Sequence, residues 1–442
     1  MMSGLLIGAV VWGLSGFLAY CFVRRYATKT EPAEGLGLFR ILYGAILFCE
    51  VAQTFLVSVV YPYDISPLFL SSWLIVIACL TVGWHTRVAA ILNYALTLVA
   101  YQYTPLHYHA DYIYLMVNLI LTVAPVSQRL SVDARLWPDL MHGEVSKFWS
   151  RVIVLCGIGF IYAEAILWKW SDPMWSSGLG LWKPASVPHA IWCDLSFLLN
   201  QRPLVIFLGY LTLYFETAFV ILIWFPRLRL PLFVIGIGLH LGTAMVFPLP
   251  WFGLVMCALY IPLLPRWVLA HFFRNRRGEN AASAAATAEG TGVAGGWRRT
   301  ALMGGVTLLV AAQLTLMLNH PSVRSLAEKT QRLEAWQSFH DHCYLETVKW
   351  SKPLVGITPH AVFASGLFER KNWLVSVVYR DPDGRDVPLP FCRENGLAHP
   401  LNSGRVRVHW VFHDGPFIGF GKSFDQLIEE NGSTLVRTQW MG

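Results

Sequence analysis

The stretch SGLLIGAVVWGLSGFLAYCFV at residues 3–23 carries no charge, and Arg24, Arg25 and Lys29 follow it. A helix needs about 20 apolar residues to cross a hydrocarbon core, so this stretch reads as a membrane span. No positive residue precedes it and no small-residue cleavage site ends it, which argues against a cleaved signal peptide. Positive charge on its far side predicts an N-terminus outside the cytoplasm and a cytoplasmic Arg24–Lys29 loop.

The same pattern recurs down the chain. Further apolar runs lie near 38–60, 68–82, 88–103, 112–126, 148–168, 204–225, 231–247, 252–264 and 301–318. Together they predict an all-α polytopic membrane helical bundle of about ten spans. Composition agrees: 55% of the 442 residues are hydrophobic and 14% are charged, against roughly 25% charged in a soluble domain. That excludes a disordered chain, a coiled coil and an ordinary cytosolic enzyme. The formal charge of +7 sits in short loops and not along one face, so it reads as a topology signal and no nucleic-acid partner is expected. Alternation of sides places Arg87, Arg129, Arg135, Lys147, Arg227, Arg229, Arg274, Arg276 and Arg277 in the cytoplasm. Only Lys169, Lys183 and Arg202 fall opposite.

Residues 278–296 (GENAASAAATAEGTGVAGG) are small and low in complexity, and read as a cytoplasmic linker. Beyond the last span the composition changes. Ser322–Glu346 has helical periodicity with many charges. Trp373–Arg380, Asp381-Pro382-Asp383-Gly384 and Arg385–Phe391 form a hairpin signal, and Arg405–Phe412 alternates as a strand does. A small α+β domain outside the cytoplasm is therefore expected over 320–442. Cys343 and Cys392 fall there, where a disulfide persists, with Cys193 as a rival partner. Cys21, Cys49, Cys79, Cys156 and Cys257 lie in apolar runs and read as small core residues. No phosphate-binding glycine loop, dinucleotide fingerprint or C-x-x-C occurs in the sequence, so those functions lack their usual signatures.

Ionisable groups within spans cost several kcal/mol unless paired or wet, which makes each a functional candidate. Lys169 stands in Tyr162-Ala163-Glu164-Ala165-Ile166-Leu167-Trp168-Lys169-Trp170-Ser171-Asp172-Pro173-Met174-Trp175, at the outer end of its span and among indoles. An amine kept from water favours its neutral form, and a neutral lysine is a usable base near neutral pH. A lysine snorkelling into an aromatic belt has the same sequence signature. His107 and His109 precede Asp111 at the same outer face, and read as a His–Asp pair more readily than as a ligand set; no metal is expected. Glu216 and His240 lie near the middle of their spans. Paired with each other, they would form either a structural clamp or a proton-handling couple. Glu50, Glu164 and Arg40 add further intramembrane charge, and so many such groups in one bundle argue for a polar cavity.

Leu36-Gly37-Leu38-Phe39-Arg40-Ile41-Leu42-Tyr43-Gly44 resembles the opening helix of the HTTM region shared by vitamin K-dependent gamma-carboxylases and their bacterial relatives. Three later features fit the same order: His109 ahead of a helix ending in Arg129-Leu130-Ser131-Val132-Asp133, Tyr162 seven residues before Lys169 and then Trp175, and Gly238-Leu239-His240. The resemblance covers about 36–265. It divides the chain into an N-terminal helix and loop (1–35), this membrane domain (36–265), the linker (266–299), a last span (300–319) and the outer domain (320–442).

The resemblance implies a specific chemistry. Lys169 takes the place of the base that deprotonates reduced vitamin K. Oxygen then adds, the quinone epoxide forms, and a strong base removes a glutamate γ-proton before CO2 is captured. His109 matches the histidine assigned to carboxylation, and His240 lies in the same helical core. Trp168, Trp170 and Trp175 would line a water-poor pocket, with Glu216 beside it. The implied cofactor is reduced vitamin K or menaquinone, a lipid-soluble quinol. The implied partners are the lipid bilayer of a bacterial inner membrane and a periplasmic peptide or protein. Two features depart from the pattern: no propeptide-recognition motif occurs in the tail, and Glu164 adds an acid near Lys169.

The leading expectation is thus a gamma-carboxylase-like enzyme. The alternative is a non-enzymatic membrane scaffold or maturation factor that presents the C-terminal domain, with His340, His342 and His360 on its surface. A proton-coupled transporter using Glu216 and His240 ranks last, since no inverted repeat or paired broken helices occur.

Overall fold

A computed structural model describes residues 2–60, 66–103, 109–141, 143–186, 191–273, 296–359, 378–380 and 386–388. Each of the apolar runs is helical. They form α1 (Met2–Tyr26), α2 (Glu34–Val60), α3 (Pro67–Val82), α4 (Thr86–Tyr103) and α5 (His109–Leu121) in the first half. The second half holds α6 (Lys147–Ser171), α7 (Arg202–Leu222), α8 (Arg229–Val246), α9 (Pro250–Tyr260) and α10 (Gly296–Leu318). Six of these, α1, α2, α6, α7, α8 and α10, are long and apolar enough to cross a membrane, while α3, α5 and α9 are shorter apolar helices. The chain is an all-α membrane bundle.

Burial separates the roles of the helices. In α6, 72% of the span is buried, against 28% for α1 and 17% for the span containing α8, so α6 is the central post and the other two face lipid. Leu6, Val10, Phe17, Val234 and Met245 are exposed on those outer helices, where acyl chains take the place of water. Cys21 and Cys49 are also exposed, and only Cys156 of the five span cysteines is fully buried. The core beneath is continuous from Phe39, Tyr43 and Leu47 of α2 through Tyr114 and Val117 of α5 to Ile153 of α6 and Leu259 of α9.

One end of the bundle is tied by polar contacts. Arg40, fully buried, donates to the carbonyls of Val126 (2.7 Å) and Leu130. Asp133 accepts from the backbone N–H groups of His85 and Thr86 (2.8 Å each) and from the Thr86 hydroxyl (2.6 Å), which caps the start of α4. The Arg129–Asp133 motif therefore joins α2, α4 and α5 at their ends. Beside it, β1 (Thr30–Pro32) pairs antiparallel with β2 (Glu144–Ser146), with Thr30 opposite Ser146, and links the exit of α1 to the entry of α6.

Two features set the direction of α6. A π-helical turn spans Leu155–Gly159, inserting an extra residue that rotates the C-terminal half of the helix. Gly157 faces Leu259 so closely that a Cβ would collide with it.

After α10, α11 (Pro321–Lys329) leads into α12, a helical run over residues 333–355 with two π-helical segments. This run lies on the bundle: Ser338 and Phe339 meet Gly4 of α1, and Cys343 meets Gly8. Val355 and Ile357 enter the main core, and the Tyr94 hydroxyl donates to the Leu354 carbonyl at 2.6 Å. Gly356 adopts φ +76° with its Cα face against the Tyr112 carbonyl, a position that excludes a side chain on both counts. Val378–Arg380 and Asp386–Pro388 form an antiparallel pair, β3 and β4, around the Asp381–Gly384 stretch. Cys193 and Cys343 do not pair with each other, and no disulfide forms among the described residues. Cys392, His360 and the strand expected at Arg405–Phe412 lie outside the described residues.

Candidate functional site

At the end of the bundle opposite Arg40, α6, α7, α8 and α9 surround a cavity of about 460 Å³. Its walls follow helix periodicity. Tyr162, Ala165 and Lys169 line it from α6, at spacings of three and four. From α7 come Leu208, Thr212 and Glu216, again one turn apart. The α8 wall holds Gly238, His240, Gly242 and Val246, and α9 adds Phe252 and Met256. The segment after α6 lines the end of the cavity beyond the α6 C-terminus, with Trp175, Leu181 and Leu195.

Lys169 and Glu216 are both nearly buried, at 4% and 5% exposure. The Lys169 ammonium donates to both Glu216 carboxylate oxygens, at 2.5 and 2.6 Å, and stands 4.6 Å from the Trp175 ring centre. One carboxylate and one aromatic face thus replace the amine's water, which is what makes burial of this charge tolerable. The pair borders the cavity, so a ligand there would meet both groups.

His240 makes a different contact from the one expected. Its Nε2 lies 2.6 Å from the Tyr162 hydroxyl, and that hydroxyl lies 2.9 Å from the Tyr260 hydroxyl. The Tyr162 and His240 rings are stacked, 12° from parallel. Nδ1 of His240 is buried without a hydrogen-bond partner among the described residues. Glu216 and His240 do not pair with each other: Glu216 is held by Lys169 across α6 and α7, while His240 is held by Tyr162 of α6, itself bonded to Tyr260 of α9.

Of the three indoles, Trp175 alone lines the cavity. Consecutive helical residues point about 100° apart, so Trp168 and Trp170 diverge to either side of Lys169. Trp168 packs edge-on against His320 at 4.5 Å and donates to Glu164 at 3.5 Å. Trp170 is 43% exposed and donates to the Thr217 hydroxyl at 3.1 Å. Glu164 also accepts from Gln313 of α10 at 3.3 Å. It therefore joins α6 to α10 and leaves Lys169 to Glu216.

His109 is the first residue of α5, and its side chain lies outside the described residues, as does all of His107. Asp111 is buried at 4%. Among the described residues, no cluster of three His, Cys, Asp or Glu has the arrangement of a metal site. Tyr260 was not singled out in the sequence: it ends an apolar run, and nothing local marks it as the second partner of Tyr162.

A lipid-embedded helical bundle with an ion pair and a tyrosine–histidine chain facing one apolar cavity is the class that this geometry defines. Comparison with family profiles matches residues 28–267, more than half of the chain, to the HTTM domain. The protein belongs to the HTTM-domain family. No curated protein and no solved structure matches it.

Proposed function

We propose that this protein is a vitamin K-dependent gamma-carboxylase-like membrane enzyme that works on a reduced quinone, vitamin K or menaquinone, in the Lys169–Glu216 cavity. The observation that carries the reading is that pair, bordering a mostly apolar space within the HTTM region. A cavity of about 460 Å³ is in the range that holds a small organic ligand. Lys169, Glu216 and His240 line it from three helices, and the His240 Nδ1 has no partner among the described residues. These fit a flat apolar ring with oxygen substituents. When bound, a reduced quinone supplies through its oxidation by O2 the strong base that carbon deprotonation requires.

What the chain contributes is positioning and proton management. The ion pair as a unit accepts one proton: Glu216 takes it from an acidic hydroxyl while the Lys169 ammonium offsets the negative charge left behind. This refines the role of Lys169 from lone base to half of a basic pair. Tyr162, fixed between His240 and Tyr260, presents His240 toward the cavity. Trp175 and the apolar walls exclude water, which would quench a strong base. His109 belongs to the same proposal, as the residue acting on the second substrate, a periplasmic peptide or protein.

The proposed setting is a bacterial inner membrane crossed by about ten spans, with the cavity, the N-terminus and an α+β C-terminal domain outside the cytoplasm. The experiment is quinol consumption under oxygen by the purified protein in nanodiscs. Full turnover by Lys169→Ala would end the proposal. The alternative, a non-enzymatic scaffold or maturation factor, draws on α12, which is built onto α1 and fixes the tail to the bundle. A folded protein that binds no quinol would favour it.

A further inference from the structure

Two groups stand in for water around the Lys169 ammonium: the Glu216 carboxylate and the Trp175 ring. Glu216 is carried by α7. Trp175 belongs to the segment after α6, and glycines that do not themselves line the cavity hold it in place. Pro173–Ser176 form one helical turn, begun by Asp172. The Gly178 N–H then donates to the Trp175 carbonyl at 3.0 Å, and the Leu179 N–H donates to the Met174 carbonyl at 2.8 Å. Gly178 closes this turn at φ +80°, a conformation that glycine adopts freely and other residues rarely.

The turn is seated directly on α7. Gly209 approaches it so closely that a Cβ there would overlap the Gly178 carbonyl, and the Tyr210 hydroxyl donates to the Ser176 carbonyl at 3.1 Å. Gly209 precedes Glu216 by about two helical turns, so the two share one face of α7, and both are buried. The helix face that carries the carboxylate is therefore the face that receives the Trp175 turn. Gly180 completes the arrangement. A Cβ at this position would overlap the Trp175 indole itself. That ring is 2% exposed, and a close-packed interior has no spare volume for it to move into without disturbing its neighbours. A side chain at 180 must therefore push the indole away from where it stands, 4.6 Å from the ammonium.

We propose that Gly180 and Gly209 are positioning residues of the Lys169 site. Gly209 seats the turn on α7, and Gly180 leaves the room in which the Trp175 ring covers the ammonium, attracting its charge and keeping water from it. Only the catalytic consequence of this rests on the quinol reading. The test is amine labelling of the full chain in nanodiscs with an N-hydroxysuccinimide ester, quantified by peptide mass spectrometry at Lys169 relative to the exposed Lys329. Gly180→Ala should raise Lys169 labelling roughly tenfold, the scale of losing a desolvated cation–π contact. In a Trp175→Phe background the smaller ring leaves room for the new Cβ, so adding Gly180→Ala should change labelling by less than about twofold; such non-additivity marks direct contact. Gly209→Ala should expose Lys169 in both backgrounds, because its clash is with backbone. Gly304→Ala, whose Cβ would meet no atom within 4 Å, should match wild type. Unchanged labelling in Gly180→Ala, an equal rise with Trp175 and with Phe, or a rise at every lysine alike would overturn the proposal. Labelling uses no quinol, so the expected pattern in a protein without quinol turnover would sink the enzyme reading and leave the positioning role standing.

Discussion

Arg40 and Lys169 are both cations buried in one helical bundle, and the chain treats them differently. Arg40 donates to two backbone carbonyls of the loop after α5, with Gly83 packed against its guanidinium. The backbone carbonyls that it donates to cannot titrate, and it does not line the Lys169 cavity. Lys169 is held by a carboxylate, which can exchange a proton, and it borders a space large enough for a ligand. A buried charge whose partners are all backbone is a fastener. A buried charge whose partner is ionisable and adjoins a cavity can do chemistry.

The largest expected effect comes from breaking the second arrangement. Lys169→Met leaves Glu216 as a lone buried charge, which costs about 3–5 kcal/mol of stability. In the double variant Lys169→Met/Glu216→Leu, that loss should be mostly recovered, since an apolar pair of similar volume is often neutral. Turnover should stay depressed by about 10²–10⁴-fold in both, the range for losing a general base. Denaturant unfolding alongside quinol turnover separates the two effects. Recovery of turnover in the double variant would make the pair another fastener.

Arg40→Leu should act the other way round. Each buried carbonyl left without its donor costs about 1–3 kcal/mol, so folded yield and Tm fall. Quinol affinity per folded molecule should not change, because Arg40 lies at the far end of the bundle. A specific loss of affinity would collapse the distinction between the two cations.

A smaller effect is expected from Tyr162→Phe. It removes the hydroxyl shared by His240 and Tyr260 while keeping the stacked ring, at about 1 kcal/mol for the lost hydrogen bond. If Tyr162 positions His240, turnover should fall while quinol affinity stays nearly constant. Unchanged turnover would leave Tyr162 a packing residue.

Much of this was legible in the sequence, and the rest failed for identifiable reasons. The spans follow from apolar runs, because a bilayer demands length and composition before anything else. Lys169 stands out as a charge where charge is costly. Its partner did not, because the pairing of Glu216 with Lys169 and not His240 depends on how α6 and α7 are rotated about their axes. The π-helical turn at Leu155–Gly159 contributes to that rotation, and nothing in Leu-Cys-Gly-Ile-Gly announces it. Of the three tryptophans, Trp168 and Trp170 fall outside the cavity for a different reason. Periodicity alone separates Trp168 and Trp170 from the face of Lys169, whereas Trp175 reaches the cavity because the chain turns back after Asp172, which accepts from the Met174 backbone N–H at 2.8 Å. Of the motifs that carried the family resemblance, Leu36–Gly44 and Arg129–Asp133 serve the fastening end, whereas Tyr162, Lys169, Trp175 and His240 line the cavity.

The smallest change in stability should come from Gly238 and Gly242, and it tests the cavity most cleanly. They lie one turn apart on α8, both line the cavity, and a Cβ on either would meet no atom within 4 Å. Alanine at either position should therefore stabilise the helix by about 0.5–1 kcal/mol, as glycine-to-alanine changes do in a helix interior. A bulkier side chain, as in Gly242→Leu, should leave the fold within about 0.5 kcal/mol of wild type, since it projects into open space. It would nevertheless occupy the volume assigned to the ligand. Thermal unfolding of the apoprotein should then be nearly unchanged, while the quinol-induced rise in Tm disappears. Retention of that rise in Gly242→Leu would mean that quinol binds elsewhere, and the contrast between Arg40 and Lys169 would become one of packing alone.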